Sequence, residues 1–165
     1  MKKIISLLVV IFIGLFFMFG CSNLSYNAKL YDNANAWINE GFAQQNFIRN
    51  VYYDIEEGFL ANEETYPLDR VFIIDNADTY NEIFVSNINE LDVDFDNQIL
   101  ILYTFRAINR RNLKLVAVNK QDSKLIIEYE VESKYGVGDT STPYQRWIVV
   151  KIDKEIFTSV EFKGK

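Results

Sequence analysis

Histidine is missing altogether from this 165-residue chain, cysteine occurs once, at Cys21, and there are only 2 prolines and 7 glycines. Without histidine, no Ser-His-Asp triad and no imidazole metal ligand can be assembled. A lone thiol forms neither an intrachain disulfide nor a multi-cysteine zinc site. So little Pro and Gly leaves small scope for low-complexity linkers. Positive charge is scarce too: 17 Lys and Arg stand against 23 Asp and Glu, for a net charge of -6. That balance argues against nucleic acid as a partner, because neutralising phosphates requires a basic face. Aromatics are plentiful, at 15% of residues. Large rings fill cores and favour strands, and the length suits one domain plus an extension.

Residues 1–20 differ in composition from the rest. Met1-Lys2-Lys3 is a short positive region, and residues 4–19 are apolar apart from Ser6 and Gly14. As a helix, that run covers about 24 Å at roughly 1.5 Å per residue, short of the hydrocarbon core of about 30 Å. A positive region, a short apolar region and then a small residue, Gly20, are the layout of a secretory signal. Met18-Phe19-Gly20-Cys21 resembles the lipobox of bacterial lipoproteins. The resemblance implies that the Cys21 sulfur takes a diacylglyceryl group and that Cys21 becomes the first residue of the mature chain, carrying acyl chains such as palmitate. Two acyl chains are enough for stable anchoring. Processing removes Lys2 and Lys3 and no acidic residue, so the net charge moves from -6 to -8. Such a body is held to an anionic membrane by its lipid and not by electrostatic attraction. The expected location is the cell membrane, facing the extracytoplasmic side, or an outer membrane where the cell has one.

Beyond the signal, residues 21–35 read as a polar, Asn-rich lipidated tether, and residues 36–165 as a single β-rich domain. Residues 36–50 are compatible with a helix, with Trp37, Ile38, Phe42 and Ile48 on a loose apolar stripe. Val51-Tyr52-Tyr53-Asp54-Ile55 and Arg70-Val71-Phe72-Ile73-Ile74 have strand composition. Tyr80, Ile83, Phe84 and Ile88 then fall at helical spacing, with Asp75 or Asn76 available as a cap, predicting a short helix over 77–86. Residues 98–105 are apolar on both faces and therefore predict a central strand. Residues 113–118 and 124–131 flank the polar stretch 119–123 and predict a hairpin. Residues 146–152 and 158–162 complete the strands. The class is α+β: a mainly antiparallel β-sheet, sandwich-like or a half-open barrel, with one or two short helices.

The order of elements over residues 80–162 resembles the C-terminal domain of PrcB-like lipoproteins, accessory subunits of a secreted bacterial protease complex. The matching pieces are the short helix, Val93-Asp94-Phe95 leading into the buried strand, the hairpin, a Gly-containing loop with Gly136 and Gly138, and Thr142-Pro143-Tyr144 opening a strand that ends Val150-Lys151-Ile152. The resemblance implies an accessory lipoprotein, not an enzyme. Where that family carries a Gly pair and an aromatic after the buried strand, this chain has Ala107-Ile108-Asn109-Arg110-Arg111-Asn112.

Four constellations invite a functional reading. Asp92, Asp94 and Asp96 begin like a calcium loop, but Asn97 stands where such a loop needs Gly and Tyr103 where it needs Glu. They read better as acids alternating with inward Val93 and Phe95 at a strand entry, and no metal or cofactor is expected. Arg106, Arg110, Arg111 and Lys114 form the basic cluster of an acidic chain, a docking patch for an acidic partner or for lipid head groups, or else a solvated loop with local ion pairs. Tyr144 and Trp147 are candidate contact aromatics, with the core as the alternative place for Trp147. Glu56-Glu57, Glu63-Glu64 and Ser133-Lys134 lack the spacing of a catalytic site, so no catalytic residue is assigned. The sequence thus points to a non-catalytic lipoprotein, lipidated at Cys21, that binds another extracytoplasmic protein through Arg110, Arg111, Tyr144 or Trp147. The alternative is a lipoprotein that captures a small molecule, sugar or peptide.

Overall fold

A strand that is apolar on both faces has to lie between two layers, and the computed structural model of the chain places Gln98–Ala107 there. The structure describes residues 26–32, 34–46, 53–54, 58–59, 69–86, 88–107, 111–132 and 144–165. The strands are β1 (Ala28–Tyr31), β2 (Tyr53–Asp54), β3 (Gly58–Phe59), β4 (Arg70–Ile74), β5 (Gln98–Ala107), β6 (Leu113–Gln121), β7 (Lys124–Val131), β8 (Tyr144–Asp153) and β9 (Ser159–Gly164). The helices are α1 (Glu40–Asn46) and α2 (Ala77–Ile83), joined by one-turn 3-10 segments at Ala34–Ala36 and Asn89–Leu91. β1, β8, β5 and β4 form one antiparallel sheet in that order. β6, β7 and β9 form a second, in which β7 and β9 run parallel. β2 and β3 pair with each other.

Alternation along β5 builds both layers. Ile99, Ile101, Tyr103, Phe105 and Ala107 join the apolar clusters shared with the second sheet, whereas Leu100 and Leu102 join the cluster under the helices. β8 repeats the pattern, with Ile148, Val150 and Ile152 toward the second sheet and Trp147 and Val149 toward the helices. Each fully buried Leu, Ile or Val contributes about 1.5–3 kcal/mol, which is why these two strands dominate the core. On the helix side, Asn76 caps α2 by accepting from the Thr79 N–H at 2.9 Å. The Asn39 carboxamide likewise accepts from the Gly41 N–H at the start of α1.

The second sheet owes its phase to a bulge. β6 faces inward with Leu113 and Leu115, then again with Val118, because the pairing with β7 shifts between Leu115 and Ala117. The additional residue, Val116, is left exposed. A bulge inserts one residue and thereby moves the next inward position by one. The β6–β7 loop is only Asp122 and Ser123, with Asp122 at φ 56°. Asp tolerates that left-handed conformation better than most side chains.

Several expectations change. Residues 28–31 are not tether: they form the edge strand β1, with Leu30 opposite Val150 of β8. Backbone pairing holds them in the domain, with Tyr31 packed into the cluster under the helices and Leu30 into those facing the second sheet. The predicted loop 119–123 is strand through Gln121, because ladder hydrogen bonds accept polar side chains on the outward face. Asp92, Asp94 and Asp96 are exposed while Val93 and Phe95 pack inward, as the alternation predicts, but in a turn before β5 and not in a strand: the Asp94 carboxylate accepts from the Asp96 N–H at 3.1 Å and from Asn97 Nδ2 at 2.8 Å. Helix α1 is shorter than 36–50, and residues 47–50 lie outside the described residues. Signal peptide, Cys21 and residues 22–25 also lie outside them. The mainly antiparallel α+β class holds, as two packed sheets and no closed barrel.

Candidate functional site

Arg146 stands in phase with Ile148, Val150 and Ile152, so its side chain enters the space between the sheets at their β5–β6 end. A buried guanidinium there needs a carboxylate, and Asp32, just past β1, supplies it. Arg146 Nη2 lies 2.6 Å from Asp32 Oδ2 and 2.7 Å from Oδ1, and Nε lies 3.2 Å from Oδ1. Their side chains are only 7% and 16% exposed. The same groups tie in the second sheet. Arg146 Nη2 donates to the Arg111 carbonyl at 2.6 Å, and the Leu113 N–H donates to Asp32 Oδ2 at 2.8 Å. One ion pair therefore fastens β1, β8 and the start of β6 together.

Beside it lies an aromatic box of Tyr103, Phe105, Tyr129 and Phe162. Tyr103 stacks on Phe162 at 4.2 Å between centroids and on Phe105 at 4.9 Å. Gly164 passes so close beneath Tyr129 that a Cβ there would sit 3.3 Å from the phenol ring. The Tyr103 hydroxyl donates to Asp69 Oδ2 at 3.1 Å. Burial first, then unfavourable electrostatics with Tyr129 and the Asp69 carboxylate, drives the Tyr103 phenol far above its ordinary value. Burial raises Tyr129 as well. Both are neutral hydrogen-bonding groups near pH 7, suited to holding the sheets in register and unsuited to nucleophilic work.

On the far side of the first sheet's edge, β4 pairs with β5 alone; among the described residues no strand occupies its outer side. Val71 and Ile73 point to the face that the second sheet covers elsewhere, yet β4 lies beyond that cover and they are 37% and 46% exposed. The helix face carries two open clefts. One, of about 450 Å³, is bounded by Tyr80, Phe95, Ile88, Val93, Asn89 and Asp92. The other, of about 250 Å³, has Tyr31 and Trp37 as walls, in edge-to-face contact at 5.7 Å, with Lys29 and Glu90 at its rim. The Lys29 ammonium lies 4.6 Å from the Tyr31 ring centre.

The residues singled out from sequence are scattered by the fold. Trp147 is buried at 7% in the cluster beneath the helices, so its ring is core, and its backbone N–H donates to Asn35 Oδ1. Tyr144 opens β8 opposite Ala107. Arg111 is half-buried and contributes its carbonyl to the clamp. Lys114 pairs with Glu130 at 3.0 Å on the surface. Arg110, Glu56, Glu57, Glu63, Glu64, Ser133 and Lys134 lie outside the described residues. Sequence reading passed over Asp32, Asp69, Val71 and Ile73. Arg146 did carry a legible sign: a charge at an inward position of an apolar strand demands a buried partner.

Among the described residues no group of three or more His, Cys, Asp or Glu could hold a metal ion, and no helix is long and apolar enough to cross a membrane. No family model, no curated protein and no solved structure matches the chain.

Proposed function

We propose that the chain is a lipoprotein anchored through Cys21 to the extracytoplasmic face of a membrane, and that its β-sandwich is a non-catalytic module binding another envelope or secreted protein. Met18-Phe19-Gly20-Cys21 supports the anchor, and the resemblance of residues 80–162 to PrcB-like lipoproteins supports the accessory role. The observation that carries protein binding is the β4 edge. Among the described residues no strand pairs with its outer side, and Val71 and Ile73 are exposed there. Soluble proteins usually blunt such edges with charge, proline or cover, and partner polypeptides commonly add a strand to edges left open. A small-ligand reading rests on the cleft beside Tyr80 and Phe95, whose volume of about 450 Å³ falls in the range of ligand sites.

A photo-crosslinking residue in place of Ile73, in the full chain expressed in a bacterial envelope, tests the edge. A discrete adduct is expected from position 73 and none from Glu130 on the second sheet. Adducts at both positions, or at neither, would refute the edge as the contact. Fatty-acid labelling tests the anchor separately: Cys21→Ser should abolish the label, and undiminished label on that variant would refute the lipobox.

A further inference from the structure

Five features of the sandwich gather at one end. β1 is antiparallel to β8 with Ala28 opposite Ile152, so Tyr26, where the described chain begins, continues that register toward Lys154. The Lys154 N–H donates to the Asn97 carbonyl, which brings the turn before β5 to the same place. The Thr158 N–H donates to the Ser123 carbonyl at 2.7 Å, which adds the β6–β7 loop. Residues 154–158, linking β8 to β9, form the tip. Ile156 sits in the middle of that tip and is 85% exposed, against 37–46% for the other exposed large apolar side chains among the described residues.

Cys21 is five residues before Tyr26. At no more than about 3.3–3.6 Å per extended residue, Tyr26 lies within roughly 17 Å of the acylated sulfur's own residue. The 154–158 loop begins at the register position opposite Tyr26. With Cys21 at the headgroups, this end lies within reach of the bilayer, six residues of chain nearer to the anchor than Asp32.

We propose that this end rests on the membrane surface with Ile156 as its apolar contact, the partner being the lipid bilayer that holds the anchor. The inference rests on the lipid-anchor reading of Cys21. The charges facing outward there define the kind of surface it fits. Asp96, Asp122 and Asp153 are exposed, Glu155 is paired with Lys120 at 2.9 Å, and the Lys154 ammonium donates to the Phe95 carbonyl. The end is acidic, so headgroup charge does not draw it in. Contact comes from the tethered anchor and one aliphatic side chain, and it is favoured on a zwitterionic surface. The consequence for function is orientation. The end carrying Asp32, Arg111 and Glu132 faces away from the membrane, and the β4 edge stands at the side, open to a partner.

Acylation uses the chain's single thiol, so an introduced cysteine is the one site open to labelling. Full-length lipoprotein carrying Ile156→Cys, or Glu132→Cys at the opposite end, is labelled with a polarity-sensitive fluorophore. It is then reconstituted into phosphatidylcholine vesicles containing lipids with a doxyl group near the headgroup. The label at 156 is expected to shift to the blue and be quenched, while the label at 132 behaves as in water. Replacing part of the phosphatidylcholine with phosphatidylglycerol should weaken quenching at 156. Equal quenching at both positions, no quenching at 156, or quenching that grows with phosphatidylglycerol would each overturn the proposal. Fatty-acid labelling of the parent separates the two failures. An unacylated parent overturns the anchor reading and this inference with it, whereas an acylated parent with an unquenched label at 156 overturns this inference alone.

Discussion

Replacing Asp32 by alanine removes four hydrogen-bonding contacts at once: three from Arg146, between 2.6 and 3.2 Å, and one from the Leu113 N–H at 2.8 Å. The guanidinium left behind is 7% exposed and loses its carboxylate. Breaking a buried pair in this way costs about 3–5 kcal/mol, because one charge stays buried without its partner. The stranded amide adds about 1–3 kcal/mol, less if water reaches the vacated site. A domain of this size is stable by about 5–15 kcal/mol in total, so Asp32→Ala consumes a large part of it. At about 2–8 °C per kcal/mol, the midpoint should fall by roughly 10–20 °C. Thermal unfolding of the unlipidated chain beginning at Ser22, followed by circular dichroism, gives the number. Asp32→Asn retains one acceptor and should cost less. The double variant Asp32→Ala with Arg146→Met removes the buried charge itself and should be no less stable than Asp32→Ala alone, a large departure from additivity. High salt should leave the Asp32→Ala effect nearly unchanged, since buried pairs are screened little. A fall of less than about 3 °C, or strictly additive losses in the cycle, would refute the reasoning that this pair fastens the two sheets.

Two further outcomes follow from the core. Leu100→Asp places an unpaired carboxylate at a position with 0% exposure in the central strand, and the cooperative melting transition should disappear; a variant melting like the parent would show that β5 is not central. Tyr103 and Tyr129 stay protonated in the fold at pH values where an unfolded tyrosine loses its proton, so the unfolded chain binds fewer protons above pH about 10 and stability falls as the pH rises through that range, by up to roughly 1.4 kcal/mol per unit for each group. Tyr103→Phe keeps the ring stack on Phe162 and Phe105, and should make the decline between about pH 10 and 11.5 shallower in denaturant titrations; an unchanged slope would contradict the assignment.

What the sequence determined by itself was local. The two-faced apolar run fixed β5 as central, and the alternation of Ile127, Tyr129 and Val131 with Glu128 and Glu130 fixed the inward face of β7. The change to helical spacing at Tyr80, Ile83 and Phe84 predicted α2 with Asp75 or Asn76 as its cap, and the structure selects Asn76 and ends the helix at Ile83. These follow from period and propensity, which act within a few residues. The proposed lipid anchor likewise rests on four consecutive residues, Met18-Phe19-Gly20-Cys21.

Tertiary structure decided everything that depends on pairs distant in the chain. Residues 28–31 look like tether because the stretch 22–35 around them is polar and Asn-rich, and only the edge of β8 makes them strand. Asp32 and Arg146 are separated by 114 positions, and no periodicity links them. The exposure of Val71 and Ile73 comes from the second sheet ending short of β4, a matter of how wide one sheet is over another. Trp147 had two defensible places until the cluster beneath the helices enclosed it. The β6 bulge belongs to the same class: the break in alternation after Leu115 is written in the sequence, but its meaning needs Tyr129 and Glu128 on the facing strand. Local signals specify which elements form, because they rest on one residue's neighbours. Burial, pairing and exposed edges rest on which elements meet, and that is settled only when the sheets stack.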